Sequence, residues 1–214
     1  MRSYPNAKYT LTLNDSQRKA VGKAVQLFVD LKDQKPEAIF PLLVKAEDEN
    51  YSSRKETFSP IIHEAFKYIY NGENPRHDAE YERLKWLLDA IGGSETITMS
   101  SDQAHTLYNA VNLFMRLKLN QPNELIYSLI NLGSSDFCER RDCAEVYLRS
   151  AFRQVFPIAS ASWKDDEWHS LYNTYQVVRY AFFKVENPTS KGVDSYPPTA
   201  YSAESLPTIT YTKE

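Results

Sequence analysis

The sequence contains an internal repeat with a period of 86 residues, which restricts the folds that are open to it. When the chain is shifted by 86 positions, residues 10–43 align with residues 96–129 without a gap, and 11 of the 34 aligned pairs are identical. The same shift aligns residues 65–66 with residues 151–152, and both pairs read Ala-Phe. A long period that occurs twice indicates duplication of one folding unit, because solenoid arrays use shorter units in at least three copies.

Each copy begins with a segment of alternating polar and apolar residues, which is typical of a β-strand. These segments are residues 8–13 and 95–99. A capping-box pattern follows each one, in which a side-chain acceptor stands three residues before a glutamine that can reach back to the free amides of a helix. The two patterns are Asn14 with Gln17 and Ser100 with Gln103.

Four helices are predicted in each copy. Apolar side chains recur at helical spacing after both capping boxes, and Pro36 and Pro122 suit the first turn of a second helix. Pro41 is expected to bend or end its helix early. The third helices are predicted at residues 59–71 and 137–156, and the fourth at residues 77–91 and 164–184.

The segment after residue 187 is rich in Pro, Ser, Thr and Tyr and has no helical period. Residues 208–212 (TITYT) nevertheless resemble residues 96–100 (TITMS), which predicts a third short strand. We therefore expect a mainly α fold with a minor β part, in which the tail completes a small antiparallel sheet. The predicted domains are two helical repeat units, residues 1–93 and 94–186, and an extended tail, residues 187–214.

Composition disfavours two classes of protein. The net charge of −3 fits neither an acidic DNA mimic nor a basic nucleic-acid binder, because both need a dense surface of one sign. Cys138 and Cys143 lie five positions apart on a predicted helix, so we expect neither a disulfide nor a metal site there. No segment has the length and apolarity of a signal peptide or a membrane span, and we expect a cytoplasmic protein that does not bind membranes.

Signals of catalysis are weak in this sequence. The four histidines do not stand at metal-ligand spacings, and there is no Gly-rich phosphate loop or G-x-S-x-G motif. His77-Asp78 is a metal-binding dipeptide in one phosphohydrolase family, but a helix N-terminus explains it more simply. Acidic residues also open both fourth helices, and stabilisation of the helix N-terminus explains them more simply than acid–base catalysis or magnesium binding. We predict no cofactor, no metal and no catalytic residue.

The richest polar and aromatic group lies on the fourth helix of the second copy. Arginine beside aromatic rings is the composition of interface hot spots and of phosphate or nucleobase pockets. A simpler interpretation is that Arg179 forms a structural ion pair and that Gln176 satisfies a buried backbone group. With one tyrosine of the tail, the candidate binding residues are Trp168, His169, Tyr172, Tyr175, Gln176, Arg179 and Tyr201.

The second copy resembles a family of small, mostly uncharacterised proteins found in bacteriophage and prophage genomes. Residues 110–117 with Asn120-Gln121 are similar to an "RLxxGQ" stretch of that family, with Asn120 in place of Gly. Residues 172–180 are similar to its "YxxxQVIRH" signature, with Tyr180 in place of His. The similarity covers residues 95–210 and implies a phage origin, but it implies no activity.

Three functions are consistent with these patterns. The first is a non-catalytic, phage-encoded accessory protein that binds and modulates a protein of the host or of its defence systems, in the host cytoplasm. The second is a protein that sequesters a nucleotide or another small anion in a cleft between the copies, lined by His169, Tyr172, Gln176 and Arg179. The third is a metal-dependent hydrolase or nuclease that uses Asp165, Asp166, Glu167 and His169.

Overall fold

The computed structural model describes residues 6–73, 75, 78–159, 165–186, 197–201 and 204–213, without the side chains of residues 156–159. His77 therefore lies outside the described residues. The chain is mainly helical with a minor β part, as predicted. None of the described helices is both long and apolar enough to cross a membrane.

The element order strand, long helix, short helical segment, long helix, long helix occurs twice along the chain. The first series is β1 (Ala7–Thr12), α1 (Asp15–Lys32), a 3-10 helix (Pro36–Ile39) that continues into α2 (Phe40–Leu43), α3 (Tyr51–Tyr70) and α4 (Ala79–Gly93). The second series is β2 (Thr96–Ser100), α5 (Ser101–Lys118), α6 (Glu124–Leu129), α7 (Phe137–Ala159) and α8 (Asp166–Glu186), and it is followed by β3 (Thr208–Lys213).

The contacts of the chain group into two compact units, and each unit combines segments of both copies. Unit 1 contains Met1–Gln26, Asp78–Asn112 and Asp165–Glu214, and unit 2 contains Leu27–His77 and Leu113–Lys164. This grouping differs from the predicted division at residue 93, because β1 pairs with β2 and α3 packs on α7. Sequence period alone does not reveal which copy each segment contacts.

Unit 1 is built on an antiparallel sheet with the strand order β2-β1-β3. Thr12 lies opposite Thr96 on one side and Thr208 on the other, and the tail therefore supplies the third strand as predicted. The side chains of Tyr9 and Leu11 are buried. Because side chains alternate across a strand, this spacing gives β1 one buried face, and the ring of Tyr9 meets Phe182 of α8 at 5.3 Å.

Unit 2 is built on the packing of α3 against α7. The predicted start of α3 at Ser59 was wrong, because the helix begins at Tyr51 and contains Pro60 in its interior. Phe58 lies in the additional turns, fully buried, with its ring 5.4 Å from Phe40 and 6.3 Å from Phe152. Burial of these rings stabilises the helix upstream of Pro60 and offsets the backbone hydrogen bond that proline cannot donate.

Both predicted capping boxes are present. The backbone N–H of Asn14 donates to Oε1 of Gln17 at 3.0 Å, and the N–H of Gln17 donates to Oδ1 of Asn14 at 2.8 Å. Ser100 and Gln103 make the equivalent pair of bonds at 2.8 and 3.3 Å. The glutamines differ in one respect, because Nε2 of buried Gln17 also donates to the carbonyl oxygen of Ser205 in the tail at 2.6 Å.

We expect Gln17→Ala to lower the free energy of unfolding by about 2 kcal/mol, because it removes one bond of the capping box and the hydrogen bond that joins buried Gln17 to the tail. Gln103→Ala removes only a half-buried cap and should lower it by about 1 kcal/mol. Urea unfolding of the two variants measures the difference. Equal losses would show that the bond to Ser205 does not contribute.

Candidate functional site

Two acidic residues at the start of α8, Asp165 and Glu167, have structural partners. Oδ1 of Asp165 accepts the backbone N–H of Trp168 at 2.8 Å, which is a helix cap. Glu167 pairs with Lys23 at 2.5 Å. Within the described ranges, no three His, Cys, Asp or Glu side chains lie close enough together to hold a metal ion.

An aromatic cluster of Trp168, His169, Tyr172 and Tyr201 joins α8 to the tail. Trp168 and Tyr172 lie one helical turn apart and stack with their ring centroids at 4.9 Å and their planes at 10°. Tyr201 places its ring nearly perpendicular to both, at 5.4 Å from Trp168 and 5.3 Å from Tyr172. Edge-to-face and stacked arrangements are the favoured geometries of aromatic pairs, so these contacts hold Tyr201 in a defined orientation.

Polar side chains of α8 hold the same part of the tail. Oδ1 of Asn173, which is fully buried, accepts the backbone N–H of Tyr201 at 3.0 Å. Nε2 of Gln176 donates to the carbonyl oxygen of Thr199 at 3.2 Å. The hydroxyl of Ser170 donates to Glu204 at 2.7 Å. The simpler interpretation predicted that Gln176 satisfies a buried backbone group; Gln176 does bind a backbone carbonyl, but Thr199 is exposed.

Tyr175 and Arg179 form a second group on α8, together with Tyr108 of α5. The rings of Tyr108 and Tyr175 stack at 4.9 Å, and the hydroxyl of Tyr108 donates to that of Tyr175 at 2.9 Å. The guanidinium of Arg179 lies over the ring of Tyr175 at 5.7 Å. The structure thus divides the seven predicted residues: Trp168, His169, Tyr172 and Tyr201 lie together, Gln176 binds the tail, and Tyr175 and Arg179 pack with Tyr108.

Exposure separates structural residues from residues that can bind a partner. Trp168 is 5% exposed and belongs to the core of unit 1, whereas Tyr201 is 49% exposed and Arg179 is exposed. His169, Tyr172, Tyr175 and Gln176 are half-buried. We call the accessible side chains of Tyr172, Gln176, Arg179 and Tyr201 the α8 surface.

Tyr108 and Asn173 were not among the predicted site residues. Tyr108 stands where the first copy has Gly22, and this replacement of a glycine by a large ring was a signal that a repeat comparison could have used. Asn173 carries no such signal, because its role depends on where the tail returns. Its Nδ2 and the Nδ1 of His169 are buried and make no hydrogen bond among the residues that the structure describes.

Two groups behind α8 have shifted pKa values. Burial lowers the pKa of His105 to about 4, and its ring stacks on that of Phe182 with the centroids 3.9 Å apart. Burial also raises the pKa of Tyr9 to about 12. Both shifts favour the neutral form in an apolar environment, which indicates a packed core beneath α8.

Comparison of the chain with protein-family models, with curated proteins and with solved structures finds no match.

Proposed function

We propose that this chain is a non-catalytic binding protein that contacts a partner protein through the α8 surface. Its resemblance to phage proteins leads us to propose a phage-encoded accessory protein, whose partner is a protein of the bacterial host or of its defence systems. The observation that carries the proposal is the ring of Tyr201 in the tail. This ring is half-exposed and is held in a fixed orientation against Tyr172 of α8.

Fixing the ring before binding favours affinity. An interface side chain loses rotamer entropy when a partner immobilises it, and a pre-organised side chain loses less. Tyr201 is already held by the rings of Trp168 and Tyr172, and its backbone N–H donates to the side-chain Oδ1 of Asn173. Tyrosine is enriched among interface hot spots because it combines a large apolar face with a polar tip.

Arg179 adds a positive charge to this surface. Its guanidinium lies over Tyr175 and its side chain is exposed, and arginine is the other residue type enriched at hot spots. A guanidinium supported by an aromatic face can bind a carboxylate in a bidentate geometry. We therefore expect the partner to place an acidic residue against Arg179 and apolar atoms against Tyr201.

The test is affinity capture from a bacterial lysate with the tagged full-length chain, followed by quantitative mass spectrometry. We expect the Arg179→Ala/Tyr201→Ala variant to lose about 30-fold or more of the captured partner, because hot-spot truncations typically have effects of this size. Circular dichroism should show that the double variant remains folded. Trp168→Ala is unsuitable as a test, because this buried ring supports the fold.

The matched control is Arg141→Ala/Leu132→Ala. It likewise removes one arginine and one large apolar side chain, with Leu132 at 62% exposure, but it does so in unit 2. Capture by this control should equal that of the wild type. The proposal is wrong if the Arg179/Tyr201 variant retains the partner or if the control loses it equally.

A further inference from the structure

Unit 2 contains a cleft of about 430 Å³ that lies between α7, α6 and the segment that joins α5 to α6. This volume falls within the range of small-molecule sites, about 300 to 1,000 Å³. We call it the arginine cleft. The lining residues that matter here are Asn120, Gln121, Glu124, Tyr127, Arg149 and Arg153.

Arg149 and Arg153 supply the positive charge of the arginine cleft. They lie four positions apart on α7, so their side chains project from the same helix face. Both are exposed, and among the residues that the structure describes Arg153 forms no ion pair. Two neighbouring guanidiniums provide the paired N–H donors that bind a phosphate group.

Glu145 links the two walls of the cleft. Its Oε1 accepts from Nδ2 of Asn123, in the segment before α6, at 3.0 Å and also accepts from Nη2 of Arg149 on α7. The carboxylate is three-quarters buried. This link positions Arg149 before any ligand enters, and it leaves Arg153 as the more available cation.

The opposite wall offers a ring and two amides. Tyr127 is 51% exposed, so its ring can stack on a planar group. Asn120 adopts a left-handed backbone conformation with φ of 59°, and Oε1 of Gln121 accepts from Arg116 at 2.7 Å, which orients its amide. Glu124 also lines the cleft and reduces its net positive charge, which favours a ligand with few phosphates.

The equivalent positions in the first copy lack these features. At the shift of 86 residues, Pro41 stands in place of Tyr127 and Lys67 in place of Arg153. His63 takes the position of Arg149 and lies 3.6 Å from Glu37, and Lys67 is bonded to Glu64 at 2.5 Å. The arginine cleft is therefore a property of the second copy.

We propose that the arginine cleft binds a small phosphorylated ligand with one planar ring, of the class of a nucleoside monophosphate. The phosphate lies between Arg149 and Arg153, and the ring stacks on Tyr127 with its polar edge toward Asn120 or Gln121. This site is separate from the α8 surface and does not depend on the proposal of protein binding there.

The test is isothermal titration calorimetry of the full-length chain with four probes: adenosine, guanosine, cytidine and uridine monophosphate. We expect at least one to bind in the micromolar range and Arg153→Ala to weaken it about 10-fold or more, because a hydrogen bond to a charged group is lost. Tyr127→Ala should weaken the binding of the nucleotide, whose ring stacks on Tyr127. The same variant should leave unchanged the weaker binding of ribose 5-phosphate, which has no planar ring.

Arg141→Ala is the control, because Arg141 lies on the same helix, pairs with the adjacent Asp142 at 2.8 Å and does not line the cleft. The Arg141→Ala variant should bind the nucleoside monophosphates as tightly as the wild type does. Arg153→Glu provides a second variant that reverses the charge at an exposed position without affecting the core. The proposal is overturned if none of the four monophosphates binds at millimolar concentration, or if Arg153→Glu binds them as tightly as the wild type.

Discussion

Replacing Arg140 with alanine is expected to lower the free energy of unfolding by about 3 kcal/mol, because it removes a buried guanidinium that holds the end of α3. Arg140 is 5% exposed. Its Nε donates to the carbonyl oxygen of Tyr68 at 2.9 Å and its Nη2 donates to that of Ile69 at 2.6 Å. Both carbonyls belong to the last turn of α3, where a helix cannot satisfy them itself.

The acidic groups near Arg140 explain why its removal should be costly. Nη1 lies 3.5 Å from Glu73 and 3.7 Å from Asp136, so the alanine variant leaves two carboxylates without their shared cation as well as two carbonyls without donors. Arg140→Lys should recover part of the loss, since an ammonium can reach one carbonyl but lacks the planar fork.

Arg141→Ala is the matched control for this measurement. Arg141 is the next residue, its side chain is 35% exposed, and it pairs with the adjacent Asp142. Its removal should change the free energy of unfolding by less than about 0.5 kcal/mol. Urea unfolding monitored by circular dichroism compares the variants, and an effect of Arg140→Ala no larger than that of Arg141→Ala would contradict the proposed role.

The sequence predicted the local structure well because local signals determine it. Both capping boxes and the end of α3 near Asn71 follow from residues within a few positions of one another. The strand in the tail was predicted from its resemblance to residues 96–100. The start of α3 was missed because Pro60 is a strong local signal of a helix start, whereas the burial of Phe58 depends on Phe152, far along the chain.

The same distinction applies to the functional residues. The spacing of residues 168–179 placed several candidates on one helix, but it did not reveal that Trp168 is buried or that Tyr175 packs on Tyr108. The arginine cleft was not predicted, because it requires α6 and α7 to come together in space. One signal was available for Arg140, since the shift of 86 residues aligns it with Arg54.

Lowering the pH from about 6.5 to 4 is expected to destabilise the protein through His105. Burial lowers the pKa of this side chain to about 4 in the folded chain, whereas an unfolded histidine titrates near 6.5. Between these values the unfolded state binds more protons, so the free energy of unfolding rises with pH in this window. The stability that neutral His105 contributes is fully present above about pH 6.5 and is lost as the pH falls toward 4, by about 1 to 2 kcal/mol, because solvent at this half-buried ring screens part of the cost.

His105→Phe tests this directly, because phenylalanine keeps a ring that can stack on Phe182 but cannot take up a proton. The difference in unfolding free energy between wild type and variant should change across the window from pH 6.5 to 4, with the variant gaining relative stability as the pH falls. Taking this difference removes the contribution of carboxylates, which titrate in both proteins. Asn109→Ala is the control, because Asn109 is exposed on the same helix as His105 and has no titratable side chain, so its replacement should leave the wild-type dependence intact. A difference between wild type and His105→Phe that stays constant with pH would show that the folded chain admits the charged imidazole at no cost, which is inconsistent with a ring packed 3.9 Å from Phe182.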